Sequence, residues 1–298
     1  MEIKKLETFI DISKQKPKKK IAVAAAEDQP VLEAVAAAKN EGFVDPLLIG
    51  NIEKIKKIAE NIGFDLSEVE MIEESNPGKA SRIAVQQVRQ DNAQILMKGM
   101  VGTADYLRAI LDKENGLRKG SLLSHVGFFE IEAYHKLIAL TDAAQNIAPE
   151  LTDKIGIINN AVDMFHRVGI ENPKIAILAA IEGVNPKMPS TIDAAALTQM
   201  NYRQQIKGCI IDGPLAFDNA ISKEATHHKG IKSDVAGDAD LLLAPNIEVA
   251  NTLYKSFTYF GKATVAAVIL GAAVPIVLTS RADSDKSKLM SIALAATY

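Results

Sequence analysis

The 298-residue sequence contains no tryptophan, and aromatic residues amount to only 5% of it. Basic residues are also in slight deficit, leaving a formal charge of -3. Proteins that hold nucleic acid stack bases on aromatic rings and neutralise phosphates with clustered cations. These two deficits therefore argue against a nucleic-acid partner and favour small anions. The single cysteine, Cys209, excludes an intramolecular disulfide and a multi-cysteine metal site, and it fits a reducing compartment, with the cytoplasm as the expected location. The opening segment "MEIKKLETFIDISKQKPKKK" lacks the apolar core of a signal peptide. Its run Lys14, Lys16, Lys18, Lys19 and Lys20 reads as a solvated face before the first strand. The longest apolar stretch, Ala263 to Thr279, is short for a membrane span and is broken by Gly271 and Pro275. It reads as a buried helix end followed by a strand, and no membrane partner is expected. The G-x-S-x-G elbow, the H-E-x-x-H pair and the G-x-G-x-x-G fingerprint are missing, which removes the common hydrolase, zinc-protease and Rossmann signatures.

What the sequence does hold is hydrophobic residues, 48% of the total, enough for a substantial core and two domains of ordinary size. Short β-like runs alternate with helical patterns: "KIAVAAAE", a helix from Gln29, "PLLIG", a helix from Ile52, a helix over Ala80 to Arg89, "AQILMKG", and a helix entering at Thr103. This rhythm predicts an α/β fold with a parallel sheet. "SLLSHVGFFEI" and "HKLIALTD" come next without a helix between them, which predicts an antiparallel pair at a change of domain. From Pro149 the alternation resumes through "KIAILAA", "GCIIDG" and "ADLLLAP" to a final "PIVLT" strand and helix. With no Gly/Ser- or Pro-rich linker, the domains are expected to exchange chain, one holding residues 1–128 plus 272–298 and the other 129–271. That division implies an interdomain cleft.

In such folds ligands gather beside the carboxyl ends of strands. The loop "KGMVGTAD" offers Lys98 as charge, Gly99 and Gly102 for close backbone approach, and Thr103 opening a helix, which is a phosphate cradle or an ordinary strand-to-helix turn. Asp105 and Arg108, one helical turn apart, read as a salt bridge. Asp142, Asp212, Asp218, Asp238 and Asp240 lie near strand edges, where carboxylates gather for a divalent metal or merely cap and turn the chain. His125 is a general base or a hydrogen-bonded core residue. His227 and His228 read as surface loop, and Cys209 as a small hydrophobe rather than a nucleophile. At "PIVLTSRADSDKSK" an apolar strand stops at Ser280 and Arg281, and Asp283 or Ser284 is placed to cap the last helix.

Taken together, "KGMVGTADYLRAIL", "LSHVGFFEI", "TDAAQNIAPEL", "VNPKMPST", "IDGPLAFDNAI", "VAGDADLLLAPNIEVANTLYK" and "PIVLTSRADS" resemble the phosphate acetyltransferase and phosphate butyryltransferase family, closest to the butyryltransferase branch. The resemblance runs from about Ile21 to the C-terminus. It implies two α/β domains of isocitrate/isopropylmalate dehydrogenase-like architecture and homo-oligomeric assembly. The implied reaction is reversible: acyl-CoA and inorganic phosphate give acyl phosphate and CoA, with no metal or organic cofactor. Ser280 and Arg281 inherit roles in binding phosphate and the reacting carbonyl, a task suited to a planar cation with several donors. Lys98, Gly99, Thr103, Arg108, Ser124, Asn146, Pro214, Asn246, Asn251 and Lys255 are the implied substrate contacts.

One departure concerns the thiol proton. The acetyl-transferring branch implies a carboxylate seven residues after this serine, where this chain has Ser287. Asp283, Asp285 or His125 could replace it, or the thiolate could be stabilised without a dedicated base. Lys286 and Lys288 read as solvated. Other readings of the sequence are a phosphate acetyltransferase, a metal- and NAD(P)-dependent decarboxylating dehydrogenase on the same fold, and a non-catalytic acyl-CoA or anion binding protein.

Overall fold

The computed structural model describes residues 2–119, 122–278 and 283–298. In chain order, α1 (Thr8–Lys14) precedes β1 (Lys19–Ala24), α2 (Gln29–Glu41), β2 (Val44–Gly50), α3 (Ile52–Ile62), β3 (Glu70–Glu73), α4 (Pro77–Arg89), β4 (Ile95–Lys98) and α5 (Thr103–Ile110). The middle of the chain forms β5 (Ser124–Glu130), β6 (Ile138–Thr141), α6 (Leu151–Arg167), β7 (Lys174–Leu178), α7 (Pro189–Tyr202), β8 (Ile210–Leu215), α8 (Phe217–Ile221), α9 (Lys223–His228), β9 (Leu241–Leu243) and α10 (Ile247–Tyr259). It ends with β10 (Thr264–Leu270), β11 (Ile276–Val277) and α11 (Asp285–Ala296).

Two compact units result. The first holds residues 7–121 and 266–298, the second residues 1–6 and 122–265. Residues 1–6, 122–128 and 266–271 thus lie in the other unit from the one expected of them. In the first unit the strand order is β3-β2-β1-β4-β11-β10. All pairs are parallel except β10 with β11. In the second the order is β5-β6-β9-β7-β8, with β5 and β6 antiparallel and the rest parallel. The antiparallel β5–β6 pair is the one expected from two strand-like runs without an intervening helix. Each unit's set of strands mixes parallel and antiparallel pairs.

The local reasons are ordinary ones. Strands covered on both faces read as continuous apolar runs, and Ile21 to Ala24 and Leu241 to Leu243 are fully buried. The Asn51 side chain accepts the Lys54 N–H at 2.9 Å to open α3, and Ser284 Oγ accepts the Ser287 N–H at 3.1 Å to open α11. Gly42, at φ 87°, ends α2 in the left-handed conformation that a side chain resists.

The stretch from Ala263 departs from the helix end expected of it, because Thr264 to Leu270 is a strand. Its residues from Val265 onward are all buried, so no polar face remains to reveal a period of two. The Lys-rich opening is also more engaged than a solvated face. Lys14 pairs with Glu41 at 2.5 Å, Lys18 with Asp45 at 2.6 Å and Lys20 with Glu70 at 2.7 Å. His227 and His228 are exposed as expected, but they end the short helix α9 rather than lying in a loop.

Candidate active site

Four of the expected site residues meet in the second unit, where β5 begins and β6 ends. Ser124 and His125 open β5 and are buried. Ser124 Oγ accepts a hydrogen bond from Asn160 Nδ2 on α6 at 2.9 Å. The carbonyl of His125 accepts from Thr141 Oγ1 at 2.7 Å. Just past β6, Asp142 is buried, and its Oδ1 accepts the N–H groups of Ala144 and Gln145 at 2.9 Å each. Asn146 Nδ2 donates to Asp142 Oδ2 at 2.5 Å and to the Leu123 carbonyl at 2.8 Å. Asn251, on α10, holds the Ala143 carbonyl at 3.2 Å. The segment "TDAAQN" is thereby tied to β5 on one side and α10 on the other.

Inside this knot the imidazole of His125 is only 5% exposed, and its Nδ1 is buried without a hydrogen-bond partner among the described residues. The Tyr254 ring of α10 lies at 5.9 Å, centroid to centroid. Burial lowers the imidazole pKa, and the nearby Asp142 carboxylate partly opposes that shift. The neutral, proton-accepting form is therefore favoured near pH 7.

The other candidates are placed differently. Asn246 caps α10, its Oδ1 accepting the Val249 N–H at 3.0 Å. Lys255 is exposed on the same helix. Pro214 lies in β8 and follows a cis Gly213–Pro214 bond. In the first unit, the loop after β4 is sewn to the end of β1. The N–H groups of Gly99 and Met100 donate to the Ala24 and Ala25 carbonyls, and that of Val101 to Gly99. A Cβ at Gly99 would stand 2.2 Å from the Ala25 carbonyl oxygen, so only glycine fits. These three amides are committed to carbonyls, so a phosphate at this loop would need donors from Lys98 or from the start of α5 at Thr103. Lys98 Nζ reaches the Gly99 and Val101 carbonyls at 3.1 Å each. Arg108 makes the expected salt bridge with Asp105, at 2.6 Å. It lines an open cavity of about 750 Å³ between α4 and α5, together with Arg82 and Arg89.

Ser280 and Arg281 lie outside the described residues. Further along the chain, Asp285 opens α11 and is exposed, while Asp283 lends its carbonyl to Lys288 Nζ. Lys288 is 4% exposed, a correction to its reading as solvated. Lys286 is half-exposed and pairs with Glu7 at 2.5 Å. Ser287, at the position of the expected carboxylate, is buried within the cap of α11.

Asp238 and Asp240, two of the metal candidates, are engaged by side chains of the protein itself. Asp240 Oδ1 lies 2.6 Å from Lys136 Nζ, and Asp238 lies 2.6 Å from Lys174 Nζ and 2.8 Å from His135 Nε2. Among the described residues no three His, Cys, Asp or Glu side chains are grouped to hold a metal. Sequence reasoning missed the parts played by Thr141, Asn160 and Tyr254, and saw Asp142 only as a metal candidate. The spacing of Asp142 and Asn146 across a tight turn was the available signal.

The profile of the family described as "Phosphate acetyl/butaryl transferase" matches residues 6–82 and 73–296. The chain is 51% identical over 294 residues to the phosphate butyryltransferase of Clostridium acetobutylicum, covering 99% of this chain and 98% of that one. It is 44% identical to the phosphate acetyltransferase of Thermotoga maritima, covering 98% and 99% respectively. A crystal structure of a branched-chain phosphotransacylase from Enterococcus faecalis superposes with a TM-score of 0.83 at 36% identity, covering 94% of this chain and 98% of that one. With matches of this length in sequence and in fold, the chain belongs to the phosphate acetyl/butyryl transferase family of enzymes.

Proposed function

We propose that this protein transfers a short acyl group, butyryl, reversibly between coenzyme A and inorganic phosphate. The observation that carries this reading is the 51% identity to a phosphate butyryltransferase along nearly the whole of both chains. In the forward direction a phosphate oxygen attacks the thioester carbonyl and the C–S bond breaks. In reverse the CoA sulfur attacks the acyl phosphate and phosphate leaves. The attack is direct, in a ternary complex, because the one cysteine is buried and its thiol is held protonated. Juxtaposing two bound substrates supplies much of the acceleration in such a reaction.

Within this reading Ser280 and Arg281 bind phosphate and the reacting carbonyl, and His125 exchanges the proton of the CoA thiol. Two observations support His125 over Asp283 and Asp285. Its neutral form is favoured by burial, and its buried Nδ1 has no hydrogen-bond partner among the described residues. Lys98, Gly99, Thr103, Arg108, Ser124, Asn146, Pro214, Asn246, Asn251 and Lys255 complete the substrate contacts. An isocitrate dehydrogenase-like arrangement with an interdomain cleft, homo-oligomeric assembly, a cytoplasmic location and independence of metal or organic cofactors belong to the same proposal. No helix among the described residues is long and apolar enough to cross a membrane.

Purified protein given butyryl-CoA and phosphate should release free thiol and form an acyl phosphate that hydroxylamine traps. No release across a series of acyl-CoAs would overturn the reading. A preference for acetyl-CoA would move the chain toward the acetyltransferase relative that it also resembles.

A further inference from the structure

His125 and Asp142 occupy neighbouring antiparallel strand ends, and both are nearly excluded from water, at 5% and 3% exposure. Two groups act on the imidazole, the Tyr254 ring from α10 and the Asp142 carboxylate just past β6, while Thr141 at the end of β6 holds the His125 backbone carbonyl. Among the described residues, Asp142 supplies the charge that acts on the ring. Its carboxylate is held on both oxygens, Oδ1 by the N–H groups of Ala144 and Gln145 and Oδ2 by the Asn146 amide. Asn146 is fixed in turn by the Leu123 carbonyl, two residues before His125.

Three donors on one buried carboxylate exceed what a tight turn requires. An imidazolium formed in such a place is strongly disfavoured unless a counter-charge stands ready. Conversely, a bare carboxylate beside the ring would hold it permanently protonated and useless as an acceptor. A carboxylate whose charge is spread over three N–H groups lies between these extremes.

We propose that Asp142 is the positioning residue of this base: clamped by Ala144, Gln145 and Asn146, it is the counter-ion of the imidazolium that His125 becomes on accepting the thiol proton. The inference rests on the reading of His125 as that base. In the step, the S–H bond of CoA breaks and an N–H bond forms on the imidazole. The resulting thiolate attacks the acyl phosphate carbonyl, and phosphate departs with the electrons of the C–O bond. In the opposite direction the imidazolium returns its proton to the leaving thiolate.

The test is an NMR titration of the histidine rings in full-length protein labelled at histidine, with His125→Gln assigning the signal. In Asp142→Asn the His125 midpoint should fall by about one pH unit, a tenfold loss in proton affinity. The acid limb of kcat/KM for CoA with butyryl phosphate should move down with it. An unmoved midpoint in folded Asp142→Asn overturns the proposal. Should that variant fail to fold, Asn146→Ala keeps the carboxylate and strips one donor, so the midpoint should rise; an unmoved or lowered midpoint is the contrary result. Wild-type turnover in His125→Gln would remove the base reading itself, whereas the titrations report the pairing directly, so the two failures are told apart.

Discussion

Cys209 shows at the scale of one residue how surroundings decide chemistry. The thiol is buried beside Asn201, whose Nδ2 lies 3.7 Å from the sulfur, and burial pushes its pKa up to about 11. A thiol protonated at neutral pH is a poor nucleophile. Cys209→Ala should therefore keep kcat/KM for butyryl-CoA unchanged, and a thiol reagent should react with the wild type only as it unfolds. Loss of activity in that variant with folding intact would reopen a covalent mechanism. Arg281 carries the opposite expectation. Arg281→Ala should lower kcat by about 10²–10³-fold, the scale seen when one donor to a developing oxyanion is removed, while the circular dichroism melt stays put. The sequence exposed these two residues unequally. Cys209 is read correctly from its apolar neighbours. Arg281 on its own is a residue beside a helix cap, and it stands out only through the resemblance of the whole "PIVLTSRADS" segment. The Asp142 clamp was half legible: Asn146 was singled out, but the burial of Asp142 depends on Leu123 and His125, which are distant in sequence and come close only when β5 pairs with β6.

At the scale of elements, the ion network at the starts of β6, β7 and β9 is a staple. Lys136 lies just before β6, Lys174 begins β7, and Asp240 directly precedes β9. Lys136 is buried, and it meets Asp240 at 2.6 Å and Asp238 at 3.2 Å. Asp240 also accepts the Lys174 N–H at 2.7 Å, and its own carbonyl accepts from Ala139 of β6. Burial opposes the ionisation of Asp238, but hydrogen bonds from Lys174 and His135 and the charge of Lys136 outweigh it, holding the carboxyl well below its usual range. A carboxylate depressed in the folded state stabilises above its unfolded pKa, and that contribution is lost as pH falls through the folded value. Asp238→Asn should therefore destabilise by about 1–3 kcal/mol at pH 7, less than a fully buried pair because solvent screens the partly exposed carboxylate. The deficit should shrink as pH drops below about 4, where the unfolded carboxyl protonates. Urea unfolding at both pH values measures it, and a deficit independent of pH would assign the loss to packing instead. The motif "GDAD" announced that acids precede this strand, but not that lysines 64 to 104 residues away would meet them. The alternation of strands and helices was legible because each helix carries a polar face. Residues 264–270 were not, because every neighbour is apolar and the run shows no period.

At the scale of the whole molecule, the chain passes between its two units at three points: after Leu6, after Ser121 and after Val265. The first crossing separates a hexapeptide from the helix and strand that come directly after it. Ile3 is 4% exposed and Leu6 is fully buried, both within the second unit, although α1 and β1 belong to the first. The Leu137 N–H donates to the Ile3 carbonyl at 2.8 Å, the Leu6 N–H to Glu130 Oε2 at 3.0 Å, and Lys5 pairs with Glu130 Oε1 at 2.7 Å. The polar contacts are partly exposed and add little, so the apolar pair should dominate. Burying each such side chain contributes about 1.5–3 kcal/mol, which offsets a large part of the cost of ordering the short strap. Leu6→Ala should thus destabilise by about 2–5 kcal/mol, the range for a buried leucine that leaves a cavity. Deleting residues 1–6 should lower the urea midpoint at least as far. Lys5→Ala should leave it nearly unchanged. A truncated chain as stable as the full one would show that the strap merely rests on the second unit and adds nothing to its stability.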